Sequence, residues 1–324
     1  MWSSVSPSRI DVLLLLMVII WGTNYSVIKF AFRDMDPQAF NAVRMTLGSL
    51  VFLAVIIGLR RMPLSRREQA GGADSISSVF HTTAPLTTRD WIGLAALGVV
   101  GHALYQYLFI GGLSRTTVAN SSLMLAATPV LIALLSAARG EERIGSLQWL
   151  GAALSVAGIY AIIGRGIAVG GTGIVGDLMM VGAVFCWSAY TLGARSLIAR
   201  HSPVAVTGLS MAIGTLLYVP LVSGNLLAVR WASVGGKTWL AAVYSALFAL
   251  CVSYTIWYAA VRELGSARTS AYSNLIPITA MLSAVVFLEE PLGMTKALGA
   301  AAVLAGVALT RTGGTRVPIP PAEQ

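Results

Sequence analysis

The sequence predicts an all-α polytopic membrane protein in which ten transmembrane helices form two inverted five-helix repeats. Composition is the first reason, because 56% of the 324 residues are hydrophobic and only 11% are charged, whereas a soluble domain is about 25% charged. The second reason is the length of the apolar runs, since a helix needs about 20 apolar residues to cross a bilayer. The third reason is an internal duplication of about half the chain.

Ten apolar segments follow one another along the chain. They cover residues 12–32, 38–60, 91–112, 117–138, 146–164, 174–198, 203–222, 238–260, 268–288 and 294–311. The runs are continuous rather than alternating and are too long for barrel strands, so they are predicted to be helices. The first is predicted to be an uncleaved spanning helix rather than a signal peptide, because it lacks a small-residue cleavage site and matches an internal segment.

The duplication appears at two displacements. Residues 119–158 match residues 267–306 at a displacement of 148, and a second block matches at 166. The matched positions include Pro129 and Pro277, Glu141 and Glu289, Glu142 and Glu290, Trp21 and Trp187, and Lys29 and Arg195. Apolar composition alone would not place such residues in register. The predicted repeats are residues 12–164 and 174–311, and because each has five helices the second is predicted to enter the membrane from the opposite side.

The connections predict how the chain is oriented. Residues 61–90 are predicted to be a flexible cytoplasmic loop inserted in the first repeat, and residues 312–324 a disordered tail. Thirteen arginines flank the segments on one side of the membrane, against six lysines and arginines on the other. Because the side richer in Lys and Arg faces the cytoplasm, both termini are predicted to be cytoplasmic.

Several functional classes are excluded at this stage. The net charge of +9 is spread between apolar runs rather than gathered in a soluble basic domain, so no nucleic-acid partner is predicted. Cys186 and Cys251 lie inside apolar runs and are interpreted as buried residues without a disulfide or metal role. No phosphate-binding loop, metal cluster or activated nucleophile is visible, so neither a cofactor nor an enzymatic activity is predicted. The oligomeric state stays open, and a monomer is plausible.

Polar and aromatic residues inside the predicted helices are candidates for a substrate cavity, because inverted-repeat transporters bind their substrates near the midplane. The candidates are Trp21, Asn24, Lys29, Arg44, His102, Tyr105, Gln106, Asn120, Trp187, Tyr190, Tyr254, Trp257, Tyr258 and Asn274. Each has an alternative interpretation. Lys29 can snorkel to the interface, the aromatic residues can be core or lipid contacts, and His102, Asn120 and Asn274 can make hydrogen bonds between helices.

Two features suggest chemistry at these positions. Lys29 and Arg44 lie in the outer halves of adjacent helices with no carboxylate visible at the same depth, so a positive outer vestibule that favours carboxylate substrates is predicted. Pro129 and Pro277 fall in the middle of matched segments. Each is predicted to kink its helix, either passively or in a way that frees a backbone carbonyl for substrate or motion.

The chain resembles the drug/metabolite transporter superfamily, EamA-domain branch. The resemblance rests on Trp21-Gly22 with Asn24 and Lys29, Arg44 after Pro37, and Pro129 followed by Glu141 and Gly151, with Pro203, Pro277, Glu289 and Gly299 in the second copy. The second copy departs at Ser188 and Ser210, where the first has Gly22 and Arg44.

The resemblance implies a secondary transporter of the bacterial-type inner membrane that works by alternating access. It implies export of a small molecule such as an amino acid or organic acid, with helices one to four and six to nine around the cavity and five and ten peripheral. The alternatives are a multidrug or toxic-compound efflux carrier of the same fold, a channel, and a membrane-embedded enzyme or scaffold.

Overall fold

The computed structural model describes residues 9–61, 79–80, 85–138, 142–143, 145–168, 173–264, 269, 272–291, 293–312 and 315–316. Most of the predicted loop 61–90 therefore lies outside the described residues. The described part is almost entirely helical, as the apolar runs predict.

The helices are numbered here in chain order. They are α1 (Arg9–Ala31), α2 (Pro37–Arg61), α3 (Thr88–Arg115), α4 (Val118–Ala126 and Thr128–Ala138), α5 (Ser146–Ala168), α6 (Gly173–Ile198), α7 (Pro203–Leu221), α8 (Gly236–Leu264), α9 (Ile276–Leu288) and α10 (Met294–Thr312). A short helix, Ser223–Ala228, and a 3-10 turn, Trp231–Ser233, connect α7 to α8. Strands β1 (Glu142–Arg143) and β2 (Thr315–Arg316) pair antiparallel.

Six helices are long and apolar enough to cross a membrane, namely α1, α2, α3, α6, α7 and α8. Shorter apolar stretches at Val118–Ile132, Trp149–Gly158, Ile276–Leu288 and Ala297–Leu309 fall on the other four predicted segments. Large apolar side chains such as those of Leu216, Phe287 and Leu298 are exposed on the outside of the bundle, as lipid contact requires. The protein is an all-α polytopic membrane protein, and the count of ten crossings stays a prediction.

Each of the two matched prolines is the second residue of a helix that follows a break. In α4 the helix breaks at Ala127, and Pro129 removes the N–H that would bond to the carbonyl of Leu125. The Thr128 hydroxyl donates to that carbonyl at 2.6 Å, so the carbonyl is already satisfied. Pro277 lies in the first turn of α9 after a turn at residues 274–275. Residues 272–273 before that turn are helical, so each of the two predicted segments is interrupted just before its proline.

Matched positions of the two halves contact each other. The hydroxyls of Ser49 and Thr215, 166 residues apart, are 2.8 Å apart, and Ser155 Oγ donates to the carbonyl of Val303, 148 residues away, at 3.4 Å. Where a two-fold axis relates two halves, a residue that contacts its own counterpart lies on that axis.

The direction of that axis follows from α5 and α10. A Cβ added at Gly158 would lie 3.0 Å from the carbonyl of Gly299, and one added at Gly306 would lie 2.5 Å from that of Gly151. The two helices therefore pack antiparallel through small residues. A two-fold axis between antiparallel partners is perpendicular to them, which is the geometry of an inverted repeat.

The central helices form two groups. Helix α1 packs against α8 and α9, which we call the α1 group, and its counterpart α6 packs against α3 and α4, the α6 group. Each group therefore combines helices of both halves. The pairs α2–α7 and α5–α10 each join a helix to its own counterpart beside these groups.

Candidate functional site

A cavity of about 80 Å³ lies between the two groups at the centre of the bundle. One buried water needs about 10–15 Å³ on this measure, so the cavity has room for several waters or part of a small solute. Its wall includes eight of the fourteen predicted residues, namely Trp21, Asn24, Arg44, Tyr105, Gln106, Trp187, Tyr254 and Trp257, together with Pro129 and Pro277. Residues of α7 are not among those that line it, which differs from the expectation that helices six to nine all contribute.

Five aromatic side chains form one side of the cavity, and we call Trp21, Tyr105, Trp187, Tyr254 and Trp257 the aromatic wall. The matched residues Trp21 and Trp187 meet edge to face with ring centroids 6.0 Å apart, so this contact also lies on the two-fold axis. Tyr105 is 5.2 Å from Trp187, and Tyr254 is 5.7 Å from Trp21. These separations are typical of stabilising aromatic pairs. Tyr254 matches Tyr105 at the displacement of 148 when a one-residue gap is allowed. Four of the five wall residues are therefore matched between the two halves, and Trp257 is the fifth.

Arg44 is the charged group of the cavity, and only 1% of its surface is exposed. Its Nε donates to Asn41 Oδ1 at 2.6 Å, one Nη to Ser245 Oγ at 2.9 Å and the other to Gln106 Oε1 at 2.6 Å. All three acceptors are neutral. Among the residues that the structure describes, no carboxylate forms an ion pair with Arg44. The guanidinium is therefore fixed in position while its charge is not neutralised.

The π-helical stretch of α8 supplies one of these acceptors. Residues Ser245–Val252 of α8 and Gly98–Leu104 of α3 are both π-helical, at corresponding places in the two halves. Such stretches are rare and often occur at functional sites. Ser245 is the first residue of its stretch, and it bonds to Arg44 across 201 residues of sequence.

The prediction that Lys29 is an unpaired cation is wrong. Its Nζ lies 3.2 Å from Glu290 Oε1 and also donates to the carbonyl of Thr116. Glu290 lies just beyond the end of α9. The chain reverses at the preceding residue, Glu289, whose φ of 56° is left-handed. Lys29 is not among the residues that line the cavity, and Arg44 is the one positively charged residue among the lining residues that the structure describes.

The other predicted residues that lie away from the cavity are His102, Asn120, Tyr190, Tyr258 and Asn274. Buried His102 has its Nε2 3.1 Å from the hydroxyl of Tyr190, which lies 3.5 Å from Ser210 Oγ. These bonds join α3, α6 and α7. His102 therefore makes hydrogen bonds between helices, which is the alternative to a role in the cavity. Asn120 donates to the Thr116 hydroxyl at 3.2 Å, at the start of α4.

Sequence reasoning missed several lining residues. Tyr25 follows Trp21 by one helical turn and packs edge to face on Phe109 with centroids 5.4 Å apart. Since residues four apart share a helix face, the position of Trp21 could have indicated Tyr25. Ser122, Leu125 and Thr128 line the α4 side and have no comparable signal, because their position depends on the break at Ala127.

An apolar helical bundle with a central cavity between two matched halves is the arrangement that membrane transporters with inverted repeats share. The model of the EamA-like transporter family matches residues 8–164 and again residues 174–312. The chain therefore belongs to the EamA-like transporter family.

Similar proteins cover nearly the whole chain. An uncharacterized transporter of Archaeoglobus fulgidus is 26% identical over 94% of this chain and 97% of its own. A probable amino-acid metabolite efflux pump of Escherichia coli is 24% identical (93% and 94%), and a probable terminal-alkyne amino-acid exporter of Streptantibioticus cattleyicolor is 27% identical (92% and 95%). A solved crystal structure with 21% identity has a TM-score of 0.59 over 94% of this chain and 98% of its own, which shows the fold alone.

Proposed function

We propose that this transporter exports a small metabolite that bears a carboxylate, such as an amino acid or an organic acid, by alternating access of the central cavity to the two faces of the membrane. The single observation behind the substrate class is Arg44. A cation inside a membrane costs about 2.5–3.5 kcal/mol on the insertion scale, and three neutral acceptors orient the guanidinium without cancelling its charge. A substrate carboxylate would supply the missing anion.

The aromatic wall complements this charge. A guanidinium presents five N–H donors in a rigid fork that suits a carboxylate, and three are occupied by Asn41, Ser245 and Gln106. The wall offers large apolar surfaces for the rest of the molecule. The names of the relatives in Escherichia coli and Streptantibioticus cattleyicolor support an amino-acid substrate. A multidrug carrier for cations is disfavoured, because a buried arginine would repel them.

The proposed setting is a bacterial-type inner membrane with both termini in the cytoplasm. It rests on the thirteen-to-six count of positive charges, which places the α1–α2 connection outside and the α6–α7 connection inside. The two ends of the bundle are named the α1–α2 face and the α6–α7 face below.

The test is counterflow in proteoliposomes that contain the purified protein. Leucine, 4-methyl-2-oxovalerate and 3-methylbutylamine share one apolar body and differ in their charged groups. At least one of the two carboxylates is expected to exchange saturably and the amine is expected not to compete. Saturable exchange of the amine, with both carboxylates inert, would contradict the proposal, and a wider panel of amino acids and organic acids extends the comparison.

A further inference from the structure

Glu290 is the centre of a polar contact at the α1–α2 face, above the cavity. Its two carboxylate oxygens accept from the backbone N–H of Val118 at 3.1 and 3.0 Å, and Oε1 lies 3.2 Å from Lys29 Nζ. Lys29 also donates to the carbonyl of Thr116. The end of α1, the end of α3, the start of α4 and the residue pair after α9 therefore meet at one carboxylate.

The contact joins the two groups of helices. Lys29 and Glu290 belong to the α1 group, in which α1 and α9 are held together by the 2.7 Å bond between Ser26 and Ser283 and by close packing of Gly22 on Thr279. Thr116 and Val118 belong to the α6 group. The bonds from Glu290 to Val118 and from Lys29 to Thr116 must therefore break if the two groups separate at this face.

The chemistry of the contact favours the closed arrangement. Val118 is the first residue of α4, and the N–H groups of a first turn have no partner within the helix. A carboxylate satisfies one of them and interacts favourably with the positive end of the helix dipole. The side chain of Glu290 is 13% exposed and that of Lys29 25%, so water replaces these bonds only after the face opens.

We propose that Glu290 is the latch that holds the α1–α2 face closed and that its bond to Val118 is released each time the cavity opens there. The inference rests on the proposed alternating access but not on the proposed substrate. The sequence displacements support it, since they match Lys29 with Arg195 and Glu290 with Glu142. In the sequence, a cation and a carboxylate therefore occupy the matched positions of the other repeat, as an inverted repeat with one latch per face requires.

The test measures opening directly, without any substrate. In a background with Cys186→Ala and Cys251→Ala, the cavity residue Ser122 is changed to Cys, one turn into α4 from Val118. A membrane-impermeant maleimide is added to intact cells and, separately, to inverted vesicles. Glu290→Gln removes the charge at nearly constant size, Lys29→Gln removes only the cation, and Glu289→Gln is the matched control, because Glu289 is exposed and adjacent.

Glu290→Gln is expected to raise the labelling rate from the α1–α2 face about tenfold, as loss of a charge-assisted hydrogen bond implies. Lys29→Gln is expected to raise it about threefold, since a partly exposed ion pair contributes less. Glu289→Gln protein is expected to be labelled at the same rate as protein that carries only the three cysteine-related substitutions. A rise in inverted vesicles alone would support the latch and overturn the proposed orientation.

Two results would overturn the latch. One is an unchanged labelling rate in Glu290→Gln protein that is present in the membrane at its normal amount, and the other is an equal rise in Glu289→Gln. If Glu290→Gln does not accumulate, Lys29→Gln decides the question in the same way. Because the readout is a thiol reaction, its failure is distinct from a failure of carboxylate export.

Discussion

Replacing Arg44 by Gln tests whether the buried guanidinium binds substrate or only supports the fold. The variant loses three hydrogen bonds to Asn41, Ser245 and Gln106, each worth about 1.5–3 kcal/mol when the donor is charged. It also removes a cation whose placement in the membrane costs about 2.5–3.5 kcal/mol. The Gln amide and cavity water can form new hydrogen bonds to the three acceptors. The loss of stability from the missing bonds and the gain from removing the buried cation therefore largely offset each other. The amount of folded protein is expected to fall little.

The effect on transport is expected to be much larger. A substrate carboxylate that loses its guanidinium partner loses about 1.5–3 kcal/mol of binding free energy, which corresponds to about a 10- to 150-fold weaker apparent affinity. The amide of the same substrate has no carboxylate to lose, so its competition is expected to change less than about threefold. Arg44→Lys is expected to be intermediate, because an ammonium keeps the charge but not the fork of donors.

The assay is counterflow in proteoliposomes with equal amounts of folded protein, in which the carboxylate and its amide compete with the labelled substrate. Arg33→Gln is the matched control, because Arg33 is an exposed arginine at the end of α1, with its guanidinium carbon 5.4 Å from the centroid of the Phe30 ring. An equal loss for the carboxylate and the amide would show that Arg44 acts structurally. An unchanged affinity for the carboxylate would refute the proposed binding role.

Two further predictions follow from the packing and from the charge distribution. Gly306→Leu is expected to reduce the amount of folded protein several-fold in a membrane fraction, because its Cβ would lie 2.3 Å from Ser155 Oγ and 2.5 Å from the carbonyl of Gly151. Gly293→Leu, where nothing lies within 4 Å, is its control, and equal loss in both variants would refute the packing argument. Reporter fusions at residues 69 and 235 are expected to lie on opposite sides of the membrane, with residue 69 in the cytoplasm. The same side for both would refute the inverted topology.

The sequence predicted the helices well because length and apolarity determine them. The third segment, predicted at residues 91–112, is found at Thr88–Arg115, and the tenth, predicted at 294–311, is found at Met294–Thr312. The fifth and tenth segments contain Gly151, Gly158, Gly299 and Gly306, and these two helices pack on each other through these glycines. The length, apolarity and small-residue content of a segment are properties of its local composition, so a single sequence is enough to predict what depends on them.

The partners of the charged residues could not be predicted in this way. Glu290 reaches Lys29 across the chain reversal at Glu289, and Ser245 reaches Arg44 across 201 residues. Both pairings depend on how helices far apart in sequence cross, which no local pattern specifies. The fate of the carbonyl freed by Pro129 was easier to foresee, because the adjacent Thr128 has a hydroxyl within reach.

The contacts between counterparts, Trp21 with Trp187 and Ser49 with Thr215, have a consequence for how the carrier turns over. Consider two end states in which each half adopts the conformation that the other half had. A contact between a residue and its own counterpart is then the same in both states. The bond from Glu290 to Val118 instead maps onto the opposite face, and the proposed latch requires that it be present in one state only. Under that condition the contacts on the axis are kept in both states. The cavity beside Trp21 and Trp187 then keeps its place, while the membrane face from which it is accessible alternates.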